Sequence, residues 1–197
     1  MDYIKYWETR YNCGGNSGKG SYGDSALFKN LHITKLLNSE SIETAIEFGC
    51  GDGHQLGLID YPTYEGLDVS AKAISICQAK FKTEPSKIFK VYNPQKFQIE
   101  KQADLVVCFD VLFHIVDEND FLKTLKDIFE SAKKYIVFTT NLKPISSKHE
   151  PHIRCRDIMP YFNKYKNFKV DKIIERPIKE GLPIFYIQLK TINYIQN

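Results

Sequence analysis

Seven residues, Glu47-Phe48-Gly49-Cys50-Gly51-Asp52-Gly53, carry the clearest chemistry in the chain. They follow the short apolar run Ala45 to Phe48, which reads as a strand ending in a turn that opens a helix. Glycines there let the backbone bend sharply and come close to a ligand. In an open α/β sheet, ligands bind outside the carboxyl ends of the strands, so a nucleotide-like ligand is expected at this point. The spacing is G-x-G-x-G, not the G-x-G-x-x-G that seats a pyrophosphate on a helix N-terminus. Glu47 stands two residues ahead of the first glycine and Asp52 lies inside the loop. Carboxylates there repel a pyrophosphate and suit a ligand that lacks phosphate and carries positive charge. Asp68 closes the next apolar run, Tyr64 to Leu67, where its carboxylate can accept from both hydroxyls of a ribose.

S-adenosylmethionine (SAM), with a sulfonium, an ammonium and a ribose, has these features. The loop, then Gly66-Leu67-Asp68-Val69-Ser70, then Cys108-Phe109-Asp110-Val111-Leu112-Phe113-His114-Ile115 resemble, in order, the motifs of the class I SAM-dependent methyltransferases. The resemblance spans roughly residues 42 to 141. It implies SAM as cofactor and S-adenosylhomocysteine (SAH) as product. It places Glu47, Gly49 and Gly51, with Phe48 and Cys50 between them, at the methionine end of SAM. Asp68 and Val69 fall at the ribose, and the backbone after Phe109 at the sulfonium. One position departs from the pattern. Where the family often has an acidic residue near the adenine amino group, this chain has Asn93. Its carbonyl can accept that hydrogen bond, or Asn93-Pro94 simply makes a turn. Readings from other classes are an oxidoreductase holding NAD on a related sheet, and a SAM-binding protein without catalysis.

Methyl transfer from a sulfonium needs an in-line nucleophile more than acid-base help, so positioning dominates. A hydroxyl acceptor gains from a base. His114, just past the fourth strand, is the candidate, and the alternative is that it packs at the rim. Asp110, at the same strand end, is the second candidate for catalysis. With Asn141 it resembles part of the magnesium site of catechol-type O-methyltransferases, but a single carboxylate leaves that site incomplete. No metal is expected.

The stretch Lys143 to Lys166 is rich in Lys and Arg and includes His149, His152, Arg154 and Arg156. These four are candidate grips for a phosphate or carboxylate, since Arg holds either in a bidentate fork. The bland reading is a solvated surface. In the N-terminal arm, Tyr3, Trp7 and Tyr11 recur at helical spacing, and five glycines follow between Gly14 and Gly23. The glycines suit a lid or a surface loop. Tyr22 or Ser21 is placed at the cofactor carboxylate and Tyr11 at the acceptor. A P-loop is excluded, because its first glycine falls on Cys13 and Gly20 follows Lys19.

Other acceptor classes leave marks that are missing. The Asn/Asp-Pro-Pro-aromatic tetrad of amino-directed nucleic-acid enzymes is replaced by Phe109-Asp110-Val111-Leu112, and the net charge is only +3. The expected acceptor is a small molecule, anionic or sugar-type, methylated on oxygen. A nucleic acid or protein acceptor is the alternative. No apolar run approaches the ~20 residues of a membrane span. The five cysteines are scattered and never spaced C-x-x-C, which suits a reducing cytoplasm.

Strands must bring these residues together. Apolar runs at Ala45–Phe48, Tyr64–Leu67, Ile88–Tyr92, Asp104–Phe109 and Tyr135–Thr140 alternate with helical patterns at Ser70–Lys82 and Asp117–Ser131. This rhythm predicts a doubly wound α/β fold with a mostly parallel seven-stranded sheet and helices on both faces. Phe168–Ile174 and Ile184–Leu189, joined by a short connection, predict an antiparallel edge hairpin. Cys155 to Tyr165 is read as a helix. One domain is expected over 1–197. Its parts are an N-terminal helix and Gly-rich lid (1–30), a SAM-binding core (42–141), and a substrate-side segment with the last strands (142–197).

Overall fold

The computed structural model describes residues 2–144, 151–177 and 183–192. Its sheet has seven strands: β1 Thr44–Phe48, β2 Thr63–Asp68, β3 Lys87–Val91, β4 Ala103–Phe109, β5 Ala132–Thr140, β6 Phe168–Glu175 and β7 Phe185–Thr191. Their order is β3-β2-β1-β4-β5-β7-β6. The first five run parallel, and β7 pairs antiparallel with both β5 and β6. The expected fold class, including the edge hairpin, is what the chain adopts. The order reverses between β1 and β4, and at such a switch point the loops diverge and leave a crevice.

Alternation along the strands divides the core. Ile46, Phe48, Val106 and Cys108 face α4 (Glu118–Ser131) and α5 (Met159–Phe162), while Ala45, Leu105 and Val107 face α2 (Gly23–Ser39) and α3 (Ala71–Lys80). Every residue of β4 is buried, as a central strand covered on both faces requires. Ser70 caps α3 by accepting from the Ala73 N–H at 3.1 Å, and Asp117 caps α4 from Asp120 at 2.9 Å.

Three elements differ from expectation. No α-helix follows the glycine loop. Gly53, Gly57 and Pro62 punctuate the segment, and only the single turn Leu56–Leu58 forms before β2. The helix expected over Cys155–Tyr165 shrinks to one turn around Pro160, whose ring cannot sit inside a longer helix. The helix α2 was not anticipated. Its buried face, Ala26, Lys29, Ile33 and Leu36, has a helical period interrupted by a charge.

Candidate active site

The glycine loop ends β1 and Asp110 ends β4, so both stand at the switch point. Between them and α1 (Tyr3–Asn12) lies a cavity of about 690 Å³. That volume falls within the range of small-molecule sites. Gly49 (φ +85°) and Gly51 (φ +56°) adopt left-handed backbone that side chains resist. A Cβ on Gly49 would lie 2.2 Å from Val111 Cγ2, so the loop is pressed against the segment after β4.

The arm α1 roofs this cavity. The Tyr3 hydroxyl donates to Asp120 on α4 (3.1 Å), and the Ser70 hydroxyl at the head of α3 donates to Glu8 (2.6 Å). Beyond α1 the chain is tied to the glycine loop reciprocally. The Asp52 N–H donates to Ser17 Oγ and the Ser17 N–H to the Asp52 carboxylate, each at 2.9 Å. Trp7 lines the cavity, with its ring edge-on to His114 at 5.0 Å.

Asp68 is buried in the cavity wall. It accepts from the Gly51 and Ser70 N–H groups, both at 2.9 Å. Burial pushes its carboxyl up to about 6, and those two donors only partly offset it. A carboxylate has about four acceptor sites, so two remain for a ligand such as a ribose diol. Glu47 lies behind the loop and accepts from the Tyr64 hydroxyl at 2.5 Å. Burial raises it to about 7, against the pull of Tyr64 and Lys29.

His114 is half-buried, and burial drives its imidazole down to about 4, although the His152 carbonyl pulls the other way. Its Nδ1 lies 3.3 Å from that carbonyl. The contact assigns the proton to Nδ1 and leaves a lone pair on Nε2. The rings of His114 and His152 stack at 5.5 Å, and Tyr6 stacks on His152 at 4.6 Å.

Asp110 adopts φ +57°, an uncommon conformation for a residue with a side chain. Its N–H donates to the Thr139 carbonyl at 2.9 Å, and Lys29 Nζ donates to Oδ2 at 2.9 Å. Burial alone would raise this carboxyl, but Lys29 and Arg176 overcome it and hold the group below the usual range. Asp110 is therefore an ionised anchor between two cations.

Of the expected cofactor residues, Phe48, Gly49, Gly51, Asp68, Val69 and Phe109 line the cavity. Four do not. Glu47 sits behind the loop, and the Cys50 side chain is buried. The Tyr22 hydroxyl donates to Asp52 at 2.8 Å, and Asn93 Oδ1 accepts from the Gln95 N–H in a turn. The catalytic candidates His114 and Asp110 line it, as do Tyr11 and His152. Arg154 and Arg156 do not, and their guanidinium groups meet Glu118 at 3.1 and 3.2 Å. His149 lies outside the described residues. Sequence reading missed Lys29 and Arg176. A lysine in register with Ala26, Ile33 and Leu36 was the available signal for the first. The second, a lone arginine before a proline, offered none.

Residues 24–169 match a family model described as a methyltransferase domain. The chain belongs to that family. Solved structures share the fold at low identity. N-methyltransferase NodS from Bradyrhizobium japonicum, in complex with SAH, is 11% identical, with a TM-score of 0.77, over 97% of this chain and 99% of that one. Magnesium protoporphyrin IX methyltransferase (ChlM) from Synechocystis, with bound SAM, is 14% identical, with a TM-score of 0.70, over 98% of each chain. A SAM-dependent methyltransferase from Clostridium acetobutylicum is 11% identical, with a TM-score of 0.66, over 88% and 94%. No curated protein matches the sequence. Among the described residues of this methyltransferase, no helix is long and apolar enough to cross a membrane. No cluster of three or more His, Cys, Asp or Glu side chains there can hold a metal ion.

Proposed function

We propose that this methyltransferase transfers the methyl group of SAM, by in-line displacement, to an oxygen of a small anionic acceptor of phosphorylated, carboxylated or sugar type. One observation carries the reading. A single cavity holds the half-satisfied carboxylate of Asp68 beside the glycine loop and the neutral imidazole of His114. SAM, when bound, supplies an electrophilic methyl on a sulfonium. The two open acceptor sites of Asp68 receive the ribose hydroxyls. Gly49 and Gly51 let the loop approach the methionine end without a side chain between. His114 Nε2 faces no competing proton above pH ~5, so it can take the proton of an acceptor hydroxyl as the oxygen attacks. Asp110 stays charged and fixes the end of β4. Trp7, Tyr6 and His152 supply flat aromatic walls that exclude water from the reacting atoms.

Calorimetry with SAM, SAH and NAD tests the cofactor. Micromolar binding of SAM and SAH is expected, and binding of NAD alone would overturn the reading. Methyl-labelled SAM incubated with a metabolite extract then identifies the acceptor by mass and charge. A neutral acceptor, or one methylated on nitrogen, rejects the acceptor class. With the acceptor in hand, His114→Ala should lower kcat by about 100-fold, within the usual range for a general base. SAM affinity should change less than about twofold. Normal turnover in that variant would leave His114 a packing residue.

A further inference from the structure

We infer that Arg176 is the anion-binding residue of the acceptor site, and that the acceptor presents a carboxylate or phosphate to its guanidinium. The inference rests on the methyltransferase reading and names the group that recognises the charge. Arg176 lines the same cavity as the glycine loop and is only 9% exposed. Among the described residues, its Nε and Nη1 have no hydrogen-bond partner. A guanidinium presents five N–H donors in a planar fork, and a buried one rarely leaves two of its nitrogens unpaired.

The neighbouring charges do not fill the gap. The Asp110 carboxylate lies 3.6 Å from Nη1, beyond hydrogen-bond reach, and already accepts from Lys29 and from the Thr139 hydroxyl. Lys29 is wholly buried. Two cations thus face one carboxylate, and a second oxyanion would balance the set. Arg156 makes a useful contrast. It too is buried with a bare nitrogen, Nη2, but its Nε is bonded to Glu118 and its plane lies over the Phe121 ring at 3.9 Å. Its surroundings outside the cavity account for it, and those of Arg176 do not.

Position favours the acceptor over the cofactor. The Arg176 N–H donates to the Ile184 carbonyl at 2.8 Å, which clamps it where β6 ends and β7 begins. Strands β1, β4 and β5 separate β7 from β2, which carries Asp68. The guanidinium therefore reaches Asp110 from the side opposite the ribose position. A molecule bound between them has His114 and His152 along its wall.

Arginine side-chain Nε–Hε signals in a proton–nitrogen correlation spectrum read the site directly. Arg176→Gln assigns the signal by its disappearance, and Arg176→Lys serves if that variant does not fold. Inorganic phosphate and, separately, acetate are titrated into the SAH-loaded protein. The expected result is a saturable shift of this one signal with at least one anion. The stronger of the two tells phosphorylated from carboxylated acceptors. Arg176→Gln should weaken that anion at least tenfold and change SAH affinity less than twofold, and Arg176→Lys should restore part of the loss. Failure of both anions to shift the signal would overturn the inference. So would a shift caused by SAH alone with a tenfold loss of SAH affinity in Arg176→Gln, which would give the guanidinium to the cofactor's carboxylate. A protein that binds no SAH fails the cofactor reading instead, and the same titration on the free protein still decides the fate of Arg176.

Discussion

The two halves of the cavity are built in different ways. On the β1–β2 side the wall is backbone. Left-handed glycines, the N–H groups of Gly51 and Ser70 and one carboxylate define it, and all lie between residues 49 and 70. On the β4–β7 side the wall is side chain. Trp7, His114, His152 and Arg176 meet there from four separate stretches of the chain. A backbone wall recognises what every methyl donor of one kind shares. A wall of side chains can be changed one residue at a time without disturbing the loop, which is how one fold serves many acceptors.

The largest effect expected from breaking this contrast comes from Gly49→Ala. The substitution forces a Cβ into left-handed backbone, at about 1–2 kcal/mol. It also drives that Cβ to 2.2 Å from Val111 Cγ2, where overpacking costs a further ~1–3 kcal/mol. Together these predict a loss of SAH affinity of at least about 30-fold by calorimetry, with far-UV circular dichroism unchanged. Affinity like the wild type would mean that the loop's backbone is not the wall that holds the ligand.

Asp68→Ala should follow, with at least a tenfold loss, since each charge-assisted bond contributes ~1.5–3 kcal/mol. Its pH dependence sharpens the point. The carboxyl sits at about 6 because burial opposes its charge, and ribose donors favour the charged form. SAH affinity should therefore be level above pH 6 and fall about tenfold per unit below it. The sign for the free protein is opposite. Asp68 and Glu47 hold protons in the folded state up to about 6 and 7, from ordinary values of 3.8 and 4.5. Folding stability thus declines from these two groups as pH rises from about 4 to 7. Asp68→Asn should abolish the acid limb in affinity. An unchanged limb would refute the assignment.

How much the sequence disclosed follows the same division. The strands, the helix that starts at Ser70, the loop and Asp68 were legible because period, punctuation and charge are local signals. The helix after the loop was misjudged because glycines that permit a tight turn also stop a helix within a few residues. Asn93, read as adenine partner or turn residue, makes the turn with Gln95. Trp7 has the spacing of a packing residue, and nothing local says that its neighbour is His114. Arg176 and Lys29 draw their meaning from Asp110, which is far from both in sequence. Arg154 and Arg156 stood out because charges cluster there, yet clustering says nothing about which partner each finds in the fold.

The smallest effect on chemistry, and the last way to test the contrast, concerns those two arginines. Arg156 stacks on Phe121 and bonds Glu118, which also accepts from the Tyr161 hydroxyl at 3.1 Å. Arg154 donates from Nη1 to the Val116 carbonyl at 3.0 Å, and its backbone N–H donates to the Phe113 carbonyl at 2.7 Å. These bonds tie the segment after residue 151 to the turn that carries His114. The tie is structural, and its side-chain parts differ in depth. Arg156→Ala removes a buried cation–π contact and one of the hydrogen bonds that Glu118 accepts, so it should cost ~1–2 kcal/mol in urea denaturation. Arg154→Ala removes a half-exposed pair and should stay within ~0.5 kcal/mol. Anion binding at the Arg176 signal should change less than twofold in either variant, because neither guanidinium lines the cavity. The opposite pattern, unchanged stability with anion affinity lost tenfold, would move recognition out of the strand-end wall and into the 151–157 segment. His152 sits in that segment and in the cavity, so Tyr6→Ala, which removes one of the rings stacked on it, is the control. If Tyr6→Ala weakens anion binding while Arg154→Ala does not, the segment acts through the ring of His152 and not through its charges.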